Sequence, residues 1–404
     1  MSKNAVRPIV IGGDIGAYAS ARAFHEAYGV RSVVLAGVST GAVAHSTIID
    51  HRIVPDLDHD DALVAAVMAV VAERPDRRHL VLGSADHAVH ALVRVRNRLT
   101  GVVVPYPETA TMEQVTTKAG FSRLCSQLDI PHPKTRVLSV GQGSELLDSA
   151  LAFPVVVKAS SSAQFHEVEF AGKRKVAYCD SESEVNQLLQ AMAAAGFTGE
   201  VVVQEQIPGA DEDMAAVNAF CGTDGGVRFL LFGQVLLEEA TPNGLGNSVA
   251  QITGGAAAHD EAVGHARRLL EHTGWTGFAN LDLKRDPRDG RYMFLELNPR
   301  VGRSGYAVTA AGYNTATMYG ENYLEQRPAS GEPVIGDAEH LFTVVPLALL
   351  RRYVSAGVWR RVRDLRRRRA VTNPFYYRAE RDPRRWAYIL TAMVNQFRKF
   401  SRWH

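Results

Sequence analysis

Residues 277–300 read GFANLDLKRDPRDGRYMFLELNPR and leave the chain few choices. Two strand-like runs flank Pro287-Arg288-Asp289-Gly290, all turn formers, so the stretch predicts a β-hairpin. With its centre near Asp289, the hairpin sets Asp282 directly opposite Glu296. Opposed residues hold their Cβ atoms roughly 4.5–5.5 Å apart on one face. The two-residue period then puts Asn298 on the face of Glu296. Two carboxylates that close repel. Glu296 also sits among Met293, Phe294, Leu295 and Leu297, where an unpaired charge is costly. A divalent cation resolves both problems, and the all-oxygen set Asp282, Glu296 and Asn298 suits magnesium, with manganese as the alternative. A solvated hairpin with polar ends is the plainer reading.

The chain before the hairpin is long enough for more than one domain, at 404 residues in all. From residue 8 to about 115, strands at 8–11, 32–36, 79–82 and 102–104 alternate with helices near 17–28 and 60–72, a parallel α/β pattern. Gly12-Gly13-Asp14-Ile15-Gly16 lacks the spacing of a dinucleotide fingerprint and reads as a strand-to-helix turn, its helix N-terminus facing an anionic group. Asp86, after the strand at 79–82, is either a substrate contact or a helix cap. One helical stretch containing Thr117-Lys118 follows, and the proline-rich Ile130-Pro131-His132-Pro133 must be extended.

Phe153 to Lys158 is an apolar strand ending in a lysine, and a lysine at the end of a buried strand needs an anion such as phosphate. Ser160 to Gln164 reads as a mobile phosphate-covering loop, with His166-Glu167 beside it as a weak catalytic pair. The strand from Glu200 through Gln204 and Glu205 breaks at Ile207-Pro208-Gly209, exposing backbone groups able to pair with an adenine edge; Glu205 can accept from its amino group. Asp211-Glu212-Asp213 offers a carboxylate to ribose hydroxyls, or is a solvated loop. Strands at 215–221, 227–232 and 234–237, a flexible loop at 241–248 and a helix at 260–273 lead to the hairpin.

Taken in order, Lys118, VVVKAS with Lys158, VVVQEQIPG, the Asp282 strand and FLELNPR resemble the ATP-grasp superfamily over about 300 residues. The resemblance implies an α/β first domain at 1–115, a small lobe at 116–206 and a large α+β lobe with the metal hairpin at 207–330. A basic helical extension at 331–404 completes the chain. It implies that Lys118, Lys158, Gln204, Glu205, Ile207 and Glu212 bind ATP. Asp282, Glu296 and Asn298 would be the magnesium ligands. Arg300, with Arg303 beside it, would steady the reacting centre. The segments VVVPYPETATMEQVTTKAGFSRLCSQLDIPHPKT and TNPFYYRAERDPRRWAYILTAMVNQFRKF look like the D-aspartate ligase group of carboxylate–amine ligases. That group adds D-aspartate to a peptidoglycan stem-peptide amine through an acylphosphate. Where the family carries a basic residue after the strand near Phe232, this chain has Gly233-Gln234-Val235.

Charge separates the C-terminal stretch from the rest. Residues 351–404 hold 16 Lys/Arg and 3 Asp/Glu, although the whole chain is only +2. Aromatics interleave these charges, so an anionic membrane surface or cell-wall precursor fits better than nucleic acid. A plain folded extension is the simpler alternative. No apolar run is long enough to span a bilayer, no signal pattern opens the chain, and Cys125, Cys179 and Cys221 form no disulfide or metal pattern. The expected setting is cytoplasmic, peripheral to the inner membrane face, with homodimerisation open. A non-catalytic ATP-binding scaffold and an amino-acid or dipeptide ligase are the alternative functions. No Ser/His/Asp set is needed for any of them.

Overall fold

The computed structural model describes residues 5–140, 151–160, 165, 168–174, 176–241, 244, 246–326 and 331–404. His166, Glu167 and the loop positions 161–164 lie outside the described residues, as do 242, 243 and 245. The chain is α/β, with three sheets.

The first sheet is parallel, in the order β3-β2-β1-β4-β5. Its strands are β1 (Val6–Ile11), β2 (Ser32–Ala36), β3 (Ile49–Ile53), β4 (Arg78–Gly83) and β5 (Val102–Val103). β2 is buried at every position, as a strand covered on both faces must be. The expected strands are all present, and β3 is an addition. Its sequence, IDHRI, lacks the apolar run that marks its neighbours because it lies at the edge. Helix α1 (Ile15–Tyr28) starts where Asp14 accepts a hydrogen bond from the Ala17 N–H and stops at Gly29 in the left-handed region. Helices α2 (Asp60–Glu73) and α3 (Asp86–Val95) complete the layer.

The single helix expected around Thr117 is two, α4 (Thr109–Thr116) and α5 (Lys118–Gln127). Thr117 is extended and its side chain accepts from the Gly120 N–H, so Lys118 becomes the first residue of α5. An antiparallel sheet follows in the order β6-β9-β7-β8. It comprises β6 (Thr135–Ser139), β7 (Val155–Ala159), β8 (Ala177–Cys179) and β9 (Glu200–Glu205), with helix α6 (Glu182–Ala194) and a core of its own.

The largest sheet has eight strands, with β14-β13-β10-β11-β12-β16-β17 in line and β15 beside β11. They are β10 (Met214–Cys221), β11 (Val227–Glu238), β12 (Ser248–Thr253), β13 (Gly277–Arg285), β14 (Tyr292–Asn298), β15 (Val334–Gly336), β16 (Leu341–Thr343) and β17 (Val371–Thr372). The two strands expected at 227–232 and 234–237 are one, β11, which runs straight through Gly233. Helix α7 (Asp260–Thr273) falls on its predicted residues. One apolar core joins this sheet to the first, from Ile9 and Leu80 to Phe220 and Leu281.

Two short helices, α8 (Tyr306–Ala310) and α9 (Thr315–Tyr319), follow the hairpin. The C-terminal stretch is helical in α10 (Leu347–Tyr353), α11 (Ala356–Arg367) and α12 (Pro383–Trp403), but it also contributes β15, β16 and β17. Phe375, Ile389 and Met393 pack with Val10, Tyr18 and Ile48 of the first sheet's layer. Beneath them lies a fully buried ion pair, Arg385–Glu380 at 3.2 Å. Tyr18 Oη, Ser46 Oγ and the Thr47 N–H all donate to Glu380, and Arg385 donates to the carbonyls of Ala42 and Ala44. None of the described helices is long and apolar enough to cross a membrane.

Candidate functional site

The hairpin β13–β14 pairs Asp282 with Glu296 and Asn280 with Asn298. Beyond Asp282 the register slips: Leu283 faces Phe294, so Leu295 is an extra residue in β14. A bulge of this kind re-aims side chains. Leu295 lines a cavity with Lys118, His132, Lys158 and Gln204, whereas the Glu296 position stays opposite Asp282. The two lysines read from separate segments thus meet, one at the start of α5 and one on β7.

Asn298 Nδ2 donates to Asp282 Oδ2 at 2.9 Å and to Asn280 Oδ1 at 3.3 Å, and Asn280 reaches Asn218 on β10. This buried asparagine row crosses three strands and fixes the floor of the site. Burial, followed by the Glu296 charge, raises the Asp282 pKa; the Asn298 hydrogen bond and the Arg300 charge oppose this only in part. Glu238, at the end of β11, is raised to about 7, mainly by burial and then by Asp211. Among the described residues no three His, Cys, Asp or Glu side chains converge as a metal cage. Two carboxylates and an amide suit magnesium, which binds through one or two carboxylates, water and substrate phosphates. A cation here would offset the mutual repulsion of two opposed, partly buried carboxylates. The residues therefore fit the ion.

Past Asn298 the chain turns into Arg300, whose Nε lies 2.8 Å from Asp86 Oδ1 at the start of α3. Asp86 is therefore brought to the site, and the α3 cap position belongs to Ala85. Arg303 Nε stands 3.9 Å from Asp14 Oδ2. Both acids lie where β1 and β4 end, at the point where the strand order reverses and open α/β sheets bind ligands. A small cleft opens there, lined by Gly16, Ser84, Arg300, Gly302 and Tyr306 among others. Gly12, at φ 120°, is needed in that turn, since a Cβ would stand 2.1 Å from Ser84 Oγ. The arginine loop is fastened to β12 by Ser304 Oγ, which donates to Gln251 Oε1 at 2.9 Å. Gln251 also accounts for Gly233, where any Cβ would meet Gln251 Nε2 at 2.0 Å. A basic side chain at that position has no room while Gln251 holds the loop.

The remaining expected residues divide. Gln204 Nε2 donates to Thr135 Oγ1, while the Glu205 carboxylate is held by Arg288 at 2.7 Å. Ile207 is buried at the exit of β9, and Lys284 Nζ secures the same exit by donating to the Gly209 carbonyl. Glu212 is not gathered with the lysines. Its carboxylate accepts from the Ser355 N–H, and it lines a different cavity with Gln234, His259 and Tyr292. Sequence reasoning missed Asn218, Asn280 and Glu238. Only the even spacing from Asn280 through Asp282 to Lys284 on one strand face hinted at the first pair's role.

No family model matches the chain. It is 28% identical over 409 residues to the D-aspartate ligase of Enterococcus faecium (strain Aus0004), covering 98% of this chain and 96% of that protein. Among solved structures it resembles the L-amino acid ligase of Bacillus licheniformis, with a TM-score of 0.55 and 16% identity, covering 80% of this chain and 75% of that one. N5-carboxyaminoimidazole ribonucleotide synthetase from Thermus thermophilus aligns at 0.58 and 17% identity over 83% and 82% of the two chains. The biotin carboxylase domain of Hydrogenobacter thermophilus 2-oxoglutarate carboxylase, solved with MgADP and bicarbonate, aligns at 0.60 and 13%, covering 81% and 71%.

Proposed function

We propose that this chain, an ATP-grasp ligase, joins the carboxylate of an amino acid to an amine, with ATP cleaved to ADP and phosphate. The observation that carries the reading is the line of the site. Lysines and the β9 exit lie at one end, the opposed carboxylates in the middle, and Arg300 with the first-sheet cavity at the other. That order matches a nucleotide laid with its base at the β9 exit and its terminal phosphate toward the acid.

Lys118 and Lys158 would hold the nucleotide phosphates. Asp282, Glu296 and Asn298 would hold magnesium, which when bound neutralises phosphate charge and so favours transfer. Phosphoryl transfer to a carboxylate oxygen gives an acylphosphate; the amine nitrogen attacks its carbonyl carbon, and phosphate leaves as the amide forms. Arg300, held by Asp86, would stabilise the negative charge that develops on the carbonyl oxygen. Full-length similarity to D-aspartate ligase makes D-aspartate the first acid to consider. The amine is then proposed to belong to a peptidoglycan precursor. Arg366, Arg367, Arg368 and Arg369, all exposed at the end of α11, offer such an anionic molecule or a membrane surface a contact.

The test is ADP release by the purified protein with ATP and magnesium across crossed sets of amino acids and amines, products weighed by mass spectrometry. Release that requires one acid and one amine, with an amide of the summed mass less water, is the expected result. Nucleotide binding without release for any pair would favour a scaffold instead.

A further inference from the structure

The cavity between α5, the segment that leads into β6 and the strands β7 and β9 is one-sided in charge. Lys118, His132 and Lys158 all line it, and none of the described residues lining it is a carboxylate. Glu205, at the end of β9, is occupied by Arg288, while Asp129 and Lys134 stand on the segment of His132 itself. β14 brings Phe294 and Leu295, which carry no charge.

The bonds of the His132 ring decide where its protons are. Nδ1 lies 2.8 Å from the Ile130 carbonyl, which can only accept, so Nδ1 carries a proton. Nε2 lies 3.0 Å from Ser126 Oγ. That hydroxyl has a single proton and donates it to the Ser122 carbonyl at 3.1 Å, one turn back on α5. With the proton used there, Ser126 Oγ offers Nε2 a lone pair, and Nε2 must be the donor. All three bonds together therefore require a doubly protonated, cationic ring. A neutral ring keeps its bond to Ser126 if the hydroxyl turns away from Ser122. An anion in the cavity favours the charged form, because a nearby opposite charge stabilises it.

Resting on the reading that Lys118 and Lys158 hold nucleotide phosphates, we propose that His132 is a third cationic group for those phosphates. Both ring nitrogens are taken by protein partners, so His132 acts by its charge across the cavity. A histidine ring ordinarily changes charge between about pH 5 and 8, and a lysine well above that range. Nucleotide affinity thus gains a part that grows as pH falls.

The experiment is calorimetric titration of the full chain with ADP and magnesium, at about pH 5.5 and about pH 8. Wild type, His132→Gln and His132→Lys are compared. Taking the ratio of wild-type to His132→Gln affinity cancels the titration of the nucleotide and of the hairpin carboxylates. That ratio is expected to be about three- to tenfold at the lower pH, as for one added charge in a solvated cleft, and near one at the higher. His132→Lys should match the wild type at the lower pH and exceed it at the higher. A ratio near one at both pH values overturns the proposal. So does an equal loss at both, which is what a purely structural role of the ring would produce, or a His132→Lys protein no tighter than wild type at the higher pH. Each of these failures leaves ADP binding, and the ligase reading, in place. A wild-type protein that binds no ADP at either pH would overturn the nucleotide reading and the proposal with it. The expected pH-dependent ratio, without ADP release for any acid and amine, supports the role of His132 and counts against the ligase reading alone.

Discussion

Glu296 and Asp282 face each other across β13 and β14, and Asn298 of the asparagine row holds the Asp282 carboxylate. Glu296→Gln keeps the shape and one oxygen acceptor but removes the charge that a divalent cation needs. The expected outcome is loss of turnover with unchanged circular dichroism and melting behaviour; a variant that retained activity would remove the metal assignment. Arg300→Ala tests a different residue of the same line. Removing a donor that acts on developing charge costs roughly 10²–10³ in kcat, whereas a lost ground-state contact would appear in KM instead. The hairpin was legible because pairing across a turn is local: counting outward from Asp289 is enough to pair Asp282 with Glu296. The bulge at Leu295 was not legible, because nothing within β14 says which residue the partner strand will skip.

β11 shows what sequence patterns miss at the level of an element. Gly233 looked like a break between two strands, yet the strand continues because β10 and β12 pair on either side of it and Gln251 occupies the space of the absent side chain. β12 itself was hidden in a stretch read partly as loop, since SVAQIT owes its strand state to β11 and β16 rather than to its own alternation. At the end of β11, Glu238 carries a measurable signature. Its pKa of about 7 lies above the ordinary carboxyl value, so the folded state holds a proton that the unfolded state releases near pH 4.5. Between those two values the unfolded state binds fewer protons, and stability falls as pH rises. Glu238→Gln should therefore flatten the decline in urea midpoint across that window. Wild-type and variant curves of equal slope would refute the assignment.

Over the whole molecule, the parallel α/β start could be read from the order of strands and helices, but the place of the C-terminal stretch could not. Its arginines suggested a solvated, partner-seeking extension. Arg385 is instead fully buried, paired with Glu380, and stacked over Tyr18 at 4.1 Å. Arg22 of α1 likewise donates to the Pro374 carbonyl and lies over the Tyr306 and Tyr377 rings. Contacts across such sequence distance leave no periodic trace. Arg385→Ala would strand the Glu380 charge in the interior and is expected to cost about 3–5 kcal/mol, read from the denaturation midpoint. Loss of under 1 kcal/mol would mean that the pair is dispensable. The bond from Tyr18 to Glu380 spans 362 residues. At elongation speeds of about 5–20 residues per second, a ribosome needs roughly 20 to 70 seconds to cover that distance. Throughout that interval the newborn first sheet presents Val10, Tyr18 and Ile48 without Phe375, Ile389 and Met393, which pack with them in the folded protein.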